Sequence, residues 1–427
     1  MAEAPARRGP TRVTGFDYEA RPTWPPLAWV AACPAGGDVV EVLHGSRVER
    51  RGSWFCEAAW DGAFERGGFD LTDVVFGSGA RARRGRVTFV PAGATTDRLQ
   101  WLRTDGGLLV SNSLPALLAV AGGEVDPAGG GWIDLFQSVT EGLDGYEDTL
   151  PTTAGDVRLT YHRNLVWDGE TAREVDKPRS GRDFGSWAGY AGFLRDAVGG
   201  LAENLSAAGR AHPFRMLGTV SSGYDSPAVA VLCREAGMEE AVTFREARLG
   251  LPDSGEEVGR ALGLEVHAHD RDAWRSLPRP EPPFLAGAAS GGEIYLAGAG
   301  PRLEGRALMT GMWGDRVWGR KYLDRTGPLE TGGLQGGLSL TEYRLRAGFL
   351  HCPVPALGAL RREELVALTE SEEMAPWSVS DGYDRPIPRR ICEEAGVPRE
   401  AIGGGKKYGA VILGAPGLFW SLPSLED

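Results

Sequence analysis

The 427-residue chain has few cysteines and no long apolar run. Its five cysteines, at positions 33, 56, 233, 352 and 392, are scattered, and no two of them form a C-x-x-C pair. This distribution favours reduced, buried thiols over a disulfide framework. No run of about 18 apolar residues occurs, and the N-terminal MAEAPARRGPTRV lacks the apolar core of a signal peptide. The sequence therefore predicts a cytoplasmic protein that does not enter a membrane.

Basic residues are in deficit, because 46 Lys and Arg stand against 58 Asp and Glu, which leaves a formal net charge of −12. Phosphate backbones and anionic membrane surfaces bind clustered cations, so neither nucleic acid nor a membrane is a predicted partner. Histidine is scarce as well, with six residues. His267 and His269 stand near Asp270, but without a second group of ligands this pattern is typical of a strand end, and we assign no zinc site.

Hydrophobic residues make up 42% of the chain and charged residues 24%, which is typical of a globular protein whose length allows two or three domains. Short β-type runs fill the first half, with two predicted helices at 114–121 and 132–138. The predicted strands are 27–33, 39–43, 86–90, 99–102, 108–111, 157–161 and 165–167. This half is therefore predicted to be an α+β sandwich, and the polar run EVDKPRSGRD at 174–183 is predicted to be the interdomain linker.

The stretch FRMLGTVSSGYDSPAVAVLCREAG at 214–237 predicts a buried strand, a tight polar loop and a helix that opens near Pro227. The small residues of the loop allow a sharp turn at a helix N-terminus, where outward N–H groups suit a phosphate or pyrophosphate. No Lys follows Gly223, so this is not a Walker loop, and transfer of a terminal phosphoryl group is not predicted. This segment, called the first loop below, comprises Ser221, Ser222, Gly223, Tyr224, Asp225 and Ser226.

Strands and helices alternate in the rest of the second half. A helix with apolar spacing from Trp187 to Leu201 precedes the first loop. Further strands are predicted at 241–244, 264–268 and 307–310, with a helix at 255–262. Such alternation predicts a parallel sheet, and ligands bind beyond the carboxyl ends of its strands. The strand at 307–310 runs into a second loop, 311–316, where Asp315 would suit Mg²⁺ that is also bound to phosphate oxygens.

Both loops resemble motifs of the asparagine synthetase superfamily. SSGYDS at 221–226 resembles the S-G-G-x-D-S loop of the PP-loop ATP pyrophosphatases, which split ATP to AMP and pyrophosphate, and Ser222 replaces the first Gly of that pattern. ALMTGMWGDRVWG at 307–319 resembles the strand that ends in G-E-G-x-D-E in the same family. Met312 and Arg316 stand where that pattern has Glu.

A third segment, VPREAIGGGKKYGAVI at 397–412, resembles the late P-R-E-I-x-x-R-x-K segment of the family. Counting from Pro398 puts Lys406 on the functional lysine, and a slip of one residue would choose Lys407. A lysine on a Gly-rich arm is suited to neutralise charge that develops on an adenylate.

The first half resembles the glutaminase-type domain of asparagine synthetases at 111–122, SNSLPALLAVAG, and at 150–169, LPTTAGDVRLTYHRNLVWDG. That domain uses a cysteine at position two, and this chain has Ala2 there. A methyl group cannot replace a thiol nucleophile, so the resemblance is to the β-lactam synthetase and carbapenam synthetase branch, which uses no glutamine. It implies two domains, an inactive Ntn-hydrolase-like αββα sandwich at 1–178 and a PP-loop synthetase domain with a parallel sheet at 184–427.

The resemblance implies an ATP-dependent and Mg²⁺-dependent ligase that adenylates a small-molecule or peptide carboxylate and transfers the acyl group to an amine. Asp225 and Asp315 would hold Mg²⁺, and Lys406 would stabilise the adenylation transition state. The remaining nucleotide-binding residues implied are Ser221, Ser222, Gly223, Tyr224, Ser226, Val242, Thr243, Phe244, Gly311 and Gly314, of which Val242, Thr243 and Phe244 would lie against adenine.

Three alternatives stay open: an ammonia-dependent asparagine synthetase, a macrolactam cyclase of the lasso-peptide type, and a nucleotide-binding homologue without activity. Met312 and Arg316 favour the last of these, because they remove two carboxylates from the second loop. The sequence also leaves open whether the chain forms a homodimer. Candidates for a Tyr–Glu pair that would deprotonate the amine are Tyr322, Tyr343, Glu372 and Glu373.

Overall fold

A computed structural model describes residues 13–125, 135–136, 138–179, 181–288, 291–319, 337–379, 383–403 and 411. These residues form three β-sheets, two in the first half and one in the second. The first sheet has the order β1-β3-β2-β9-β8-β11-β10, antiparallel except for the parallel pair of β1 and β3. Its strands are β1 Gly15–Ala20, β2 Trp29–Pro34, β3 Val39–His44, β8 Arg98–Thr104, β9 Gly107–Ser111, β10 Thr149–Thr152 and β11 Gly155–Tyr161.

The second sheet is antiparallel throughout, with the order β13-β12-β7-β6-β5-β4. Its strands are β4 Glu49–Arg50, β5 Trp54–Trp60, β6 Val75–Arg83, β7 Arg86–Val90, β12 Asn164–Trp167 and β13 Ala172–Val175. The two sheets pack face to face, and Trp29 of the first sheet makes an edge contact with Phe55 of the second at 5.0 Å between ring centroids. Helix α1, Leu114–Ala121, covers the first sheet on its other face.

The third sheet is parallel and has the order β16-β15-β14-β17-β18. Its strands are β14 Arg215–Thr219, β15 Glu240–Phe244, β16 Glu265–His269, β17 Arg306–Thr310 and β18 Leu350–Pro353. The helices of this half are α2 Trp187–Leu205, α3 Asp225–Glu235, α4 Glu256–Leu262, α5 Pro282–Ala288, α6 Gly300–Leu303, α7 Gly314–Val317, α8 Leu340–Ala347, α9 Arg362–Glu370 and α10 Pro386–Glu394. A mixed α/β fold with a parallel sheet, as the sequence predicts, is thus confirmed.

One apolar core runs through both halves. It includes Ala59 and Phe76 of the second sheet, Leu194 of α2 and Val229 of α3. Helix α2 therefore packs on the antiparallel sandwich and on the parallel sheet at once. Strand β13 also extends two residues into the predicted linker at 174–183. The division at 178 and 184 stays a prediction.

Most of the predicted strands and helices agree with the structure within one or two residues. The predicted helix at 132–138 lies largely outside the described residues. Within the described part of the chain, no helix is long and apolar enough to cross a membrane.

Two buried histidines make the fold sensitive to acid. Burial and the nearby Lys177 lower the pKa of His162 to about 4, and burial and Arg344 lower the pKa of His351 to about 3. Between their ordinary pKa of 6.5 and these values, the unfolded chain binds protons that the folded chain does not. We expect the free energy of unfolding to fall from pH 6.5 toward pH 4, by on the order of 3 kcal/mol for His162 alone.

Urea denaturation of the full chain at a series of pH values tests this expectation. His162→Gln keeps a donor for the Gly93 carbonyl oxygen, which lies 3.0 Å from His162 Nδ1, and should flatten the pH slope. His267→Gln, on the edge strand β16, is the control for the loss of one histidine. A pH slope that His162→Gln leaves unchanged would contradict the interpretation.

Candidate functional site

The structure brings the two predicted loops into direct contact. They follow β14 and β17, which are neighbours in the parallel sheet. A Cβ atom on Gly311 would lie 2.4 Å from the Ser226 amide nitrogen, and one on Gly314 would lie 2.3 Å from Asp225 Cγ. Only glycine fits at such separations, so the second loop lies directly on the N-terminus of α3.

Hydroxyl groups close the first loop on itself. Ser221 Oγ and Ser226 Oγ lie 2.9 Å apart, and the Gly223 N–H donates to Ser221 Oγ at 3.2 Å. Helix α3 begins at Asp225 without a side-chain cap from Tyr224, so its first N–H groups and its partial positive charge lie at the loop. The expected outward N–H groups are nevertheless partly in use, since Gly223 donates within the loop.

Asp253 is a residue of this site that sequence analysis missed. Its Oδ1 accepts hydrogen bonds from the Ser222 amide at 3.3 Å and from the Ser222 hydroxyl at 2.8 Å. Ser254 forms a β-bridge with Ser221, and a Cβ on Gly255 would lie 2.5 Å from the Val220 carbonyl carbon. The segment ahead of α4 is therefore closely packed on the first loop, and the only signal in the sequence is a Pro-Asp-Ser-Gly turn.

Arg385 is a second residue that sequence analysis missed. Its Nη1 donates to both carboxylate oxygens of Asp225 at 3.0 Å. Arg385 precedes α10, which packs on α3, and its side chain is buried. The predicted metal ligand Asp225 thus holds an arginine in the structure.

Two aromatic rings, those of Tyr224 and Tyr383, pack together at the first loop. Tyr224 is buried, its hydroxyl accepts a hydrogen bond from Arg389, and its ring centroid lies 5.1 Å from that of Tyr383. Burial raises the pKa of Tyr383, and the carboxylates of Asp225 and Asp315 raise it further. Both predicted metal ligands therefore lie close to Tyr383, whereas the ring of Tyr224 supports the loop from within the core.

The three residues predicted to contact adenine lie on β15 and differ in exposure. Val242 and Thr243 are buried, and Thr243 Oγ1 accepts a hydrogen bond from the Gly255 amide at 2.8 Å. Phe244 is partly exposed and makes an edge contact with Tyr295, with ring centroids 4.8 Å apart. Of the three side chains, Phe244 is the one placed to present a ring to a base.

The second loop is held in an unusual conformation. Trp313 is buried and has a φ of 77°, which a bulky residue adopts only under constraint from its surroundings. Met312 packs against the apolar clusters on both sides of the parallel sheet. At the position where the related pattern has Glu, this chain therefore has a packing residue.

The acidic residues at the site suit Mg²⁺ bound together with phosphate. Among the described residues, no group of three or more His, Cys, Asp or Glu side chains is arranged to hold a metal. Mg²⁺ needs only one or two carboxylates when phosphate oxygens and water complete its octahedron, so Asp225 and Asp315 fit that role. Mg²⁺ bound directly to Asp225 would share the carboxylate with Arg385, which already bonds to both of its oxygens.

The other predicted residues are either outside the described part of the chain or packed in other contacts. Lys406, Lys407 and Tyr322 lie outside the described residues. Tyr343 stacks on Phe284 at 4.3 Å between ring centroids, whereas Glu373 accepts a hydrogen bond from the Trp187 amide at 3.0 Å.

Tyr343 packs against one apolar cluster, whereas Glu373 bonds to Trp187 of another, and the exposed Glu372 adjoins Glu373. Among the described candidates, Tyr343 and Glu373 therefore make their contacts with different partners and not with each other. Comparison of the chain with models of protein families and with curated proteins gives no match. The functional conclusion therefore depends on the residues and their geometry.

Proposed function

We propose that the chain is an ATP-dependent, AMP-forming ligase that joins a carboxylate to an amine. The observation that carries this proposal is the contact between the S-S-G-Y-D-S loop and the Gly-Asp loop at the carboxyl ends of adjacent parallel strands. It supports the resemblance to the asparagine synthetase superfamily and a PP-loop synthetase domain at 184–427. From the sequence resemblance we also propose an inactive Ntn-hydrolase-like αββα domain at 1–178. As the setting we propose cytoplasmic synthesis of a specialised amide.

The first loop would bind the two phosphoryl groups that leave as pyrophosphate. Ser221 and Ser226 are joined by their hydroxyls at the start of α3, and these hydroxyls can turn to donate to an anion. The helix N-terminus adds the partial positive charge that stabilises such an anion. When bound, Mg²⁺ would neutralise further charge on the phosphates, with Asp225 and Asp315 as its protein ligands.

Arg385 would also help to neutralise the negative charge of the phosphates. Its guanidinium is held at the first loop by Asp225. Arginine binds phosphate oxygens in the same bidentate manner in which it binds a carboxylate. We assign Arg385 the role of a cation that stays at the site whether it contacts Asp225 or a phosphate.

Lys406 keeps its proposed role because Gly403, three residues before it, is hydrogen-bonded to the first loop. The Gly403 amide donates to the Ser222 carbonyl oxygen at 3.0 Å, and the Val411 amide donates to the Gly292 carbonyl oxygen at 2.8 Å. The ammonium of Lys406 would stabilise charge on the acyl-adenylate as it forms and breaks.

The first half is not proposed to hydrolyse glutamine. Burial raises the pKa of Cys56 to about 12 and that of Cys33 further, so neither thiol supplies a thiolate at neutral pH. Cys33 and Cys56 are both buried, so neither is placed to act as the thiol nucleophile of a glutaminase. The amine would therefore be a specific organic substrate, held close to the acyl group, because proximity supplies what dilute ammonia lacks.

Incubation with ATP and a panel of amino acids, diacids and short peptides tests the proposal. We expect one acid to support ATP–pyrophosphate exchange, and the products with its amine to be AMP, pyrophosphate and an amide. ADP and phosphate as the only nucleotide products would overturn the assignment. Exchange with aspartate alone, completed by ammonium to asparagine, would favour the asparagine synthetase alternative.

An absence of nucleotide binding or exchange under all conditions would favour a homologue without activity, the alternative suggested by Met312 and by the Arg385–Asp225 ion pair. Release of glutamate from glutamine that survives Cys33→Ala and Cys56→Ala would contradict the inactive first half. A product that is a cyclised peptide would identify the macrolactam alternative.

A further inference from the structure

We propose that Asp253 is an internal anion of the first loop, which occupies the position of a phosphate oxygen and which pyrophosphate must displace. The inference rests on the proposed function, since it concerns the same loop. Asp253 Oδ1 accepts hydrogen bonds from both the amide and the hydroxyl of Ser222, at 3.3 and 2.8 Å. Both donors belong to Ser222, one of the nucleotide-binding residues that the sequence resemblance implies.

The position of Asp253 is fixed by the backbone on both sides. The Asp253 amide donates to the Arg245 carbonyl oxygen at 2.9 Å, and the Gly255 amide donates to Thr243 Oγ1 at 2.8 Å. Ser254 forms a β-bridge with Ser221. The segment that carries Asp253 is therefore attached to β15 and to the first loop, so its carboxylate is held at Ser222.

A carboxylate in this position opposes the binding of a phosphate at Ser222. Two hydrogen bonds to one charged oxygen are strong, and a phosphate oxygen competes for the same donors. The negative charge of Asp253 also repels a phosphate that approaches Ser222. Asp253 thus weakens the binding of pyrophosphate, and product release becomes easier than the donors of the loop alone would allow.

An asparagine at position 253 would remove the negative charge of Asp253 and keep the shape of its side chain. Asp253→Asn retains a carbonyl oxygen that can accept from Ser222. Glu246→Gln removes the same charge from an exposed neighbour that pairs through its backbone with Pro252, and it is the matched control. Both variants are made in the full chain, and their thermal unfolding is compared with that of the wild type.

Titration calorimetry with Mg²⁺ and inorganic pyrophosphate, and separately with AMP, tests the inference. We expect Asp253→Asn to bind pyrophosphate about tenfold more tightly than wild type, while Glu246→Gln is unchanged. The affinity for AMP should not change in either variant, because its base is assigned to Phe244 on β15.

Each other outcome overturns the inference in a recognisable way. Equal affinity of wild type and Asp253→Asn for pyrophosphate would show that Asp253 does not compete, and would leave the proposed function intact. Weaker binding by Asp253→Asn would identify Asp253 as a ligand-positioning residue instead. Absence of both pyrophosphate and AMP binding in all three proteins would overturn the proposed function together with the inference.

Discussion

Replacement of Arg344 by methionine is expected to lower the free energy of unfolding by about 3 to 5 kcal/mol. Arg344, on α8 of the second half, donates from Nη1 to Glu57 Oε2 at 2.6 Å and from Nε to Asp97 Oδ1 at 2.7 Å. All three side chains are buried. The variant would leave two carboxylates in the interior without their cation, and that cost exceeds any gain from the added apolar group.

The arginine lies at the centre of a larger polar network between the halves. Glu57 also accepts hydrogen bonds from Ser78 at 2.6 Å and from Asn112 at 3.1 Å. From the same helix, Glu342 accepts from Ser113 Oγ at 2.8 Å. Helix α8 therefore places a polar surface against the first half. Loss of the ion pair would destabilise groups on both sides of this interface.

Urea denaturation measures the effect, with Arg346→Met as control, because Arg346 is an exposed arginine on the same helix. We expect that control to change the free energy of unfolding by less than about 0.5 kcal/mol. A variant that combines Arg344→Met with Glu57→Gln and Asp97→Asn removes the buried charges together and should recover part of the loss. Equal effects of Arg344→Met and Arg346→Met would refute the interpretation.

Sequence patterns predicted strands that have a regular apolar pattern. They missed a strand whose apolar run is interrupted by a buried charged residue. The predicted strand at 86–90 and the predicted helix at 114–121 coincide with β7 and α1. Strand β5, WFCEAAW, was missed because all seven of its residues are buried and Glu57 interrupts its apolar run. A buried Glu that pairs with an arginine 287 positions later gives no local pattern to detect.

The same limit applies to the site. Both loops were predicted because each motif is local and ends a strand. Asp253 and Arg385 were missed because they meet Ser222 and Asp225 across 31 and 160 positions, through packing of α4 against β16 and of α10 against α3. Such partners are set by tertiary structure, and no spacing rule within one segment reveals them.

The ion pair between Arg385 and Asp225 gives the largest expected effect on activity. We expect Asp225→Asn to lower the rate of ATP–pyrophosphate exchange by about a thousandfold or more, because it removes the charge that the proposed Mg²⁺ site needs beside Asp315. The measurement is exchange with the acid identified in the substrate panel, at a series of Mg²⁺ concentrations. Retention of a rate within tenfold of wild type would show that Asp225 is not a metal ligand.

Replacement of Arg385, the partner of Asp225, is expected to change the Mg²⁺ dependence of exchange in a different way. The difference separates the roles of the two residues. In the structure Arg385 occupies both oxygens of Asp225, so Mg²⁺ competes with it for the carboxylate. Arg385→Met should therefore lower the Mg²⁺ concentration for half-maximal exchange, and at saturating Mg²⁺ it should lower the rate about ten- to a hundredfold through loss of the phosphate-binding cation. Arg390→Met, in the helix that Arg385 precedes and paired with Glu394, is the control and should change neither value. A raised Mg²⁺ requirement in Arg385→Met would mean that the arginine orders Asp225 for the metal and does not compete with it.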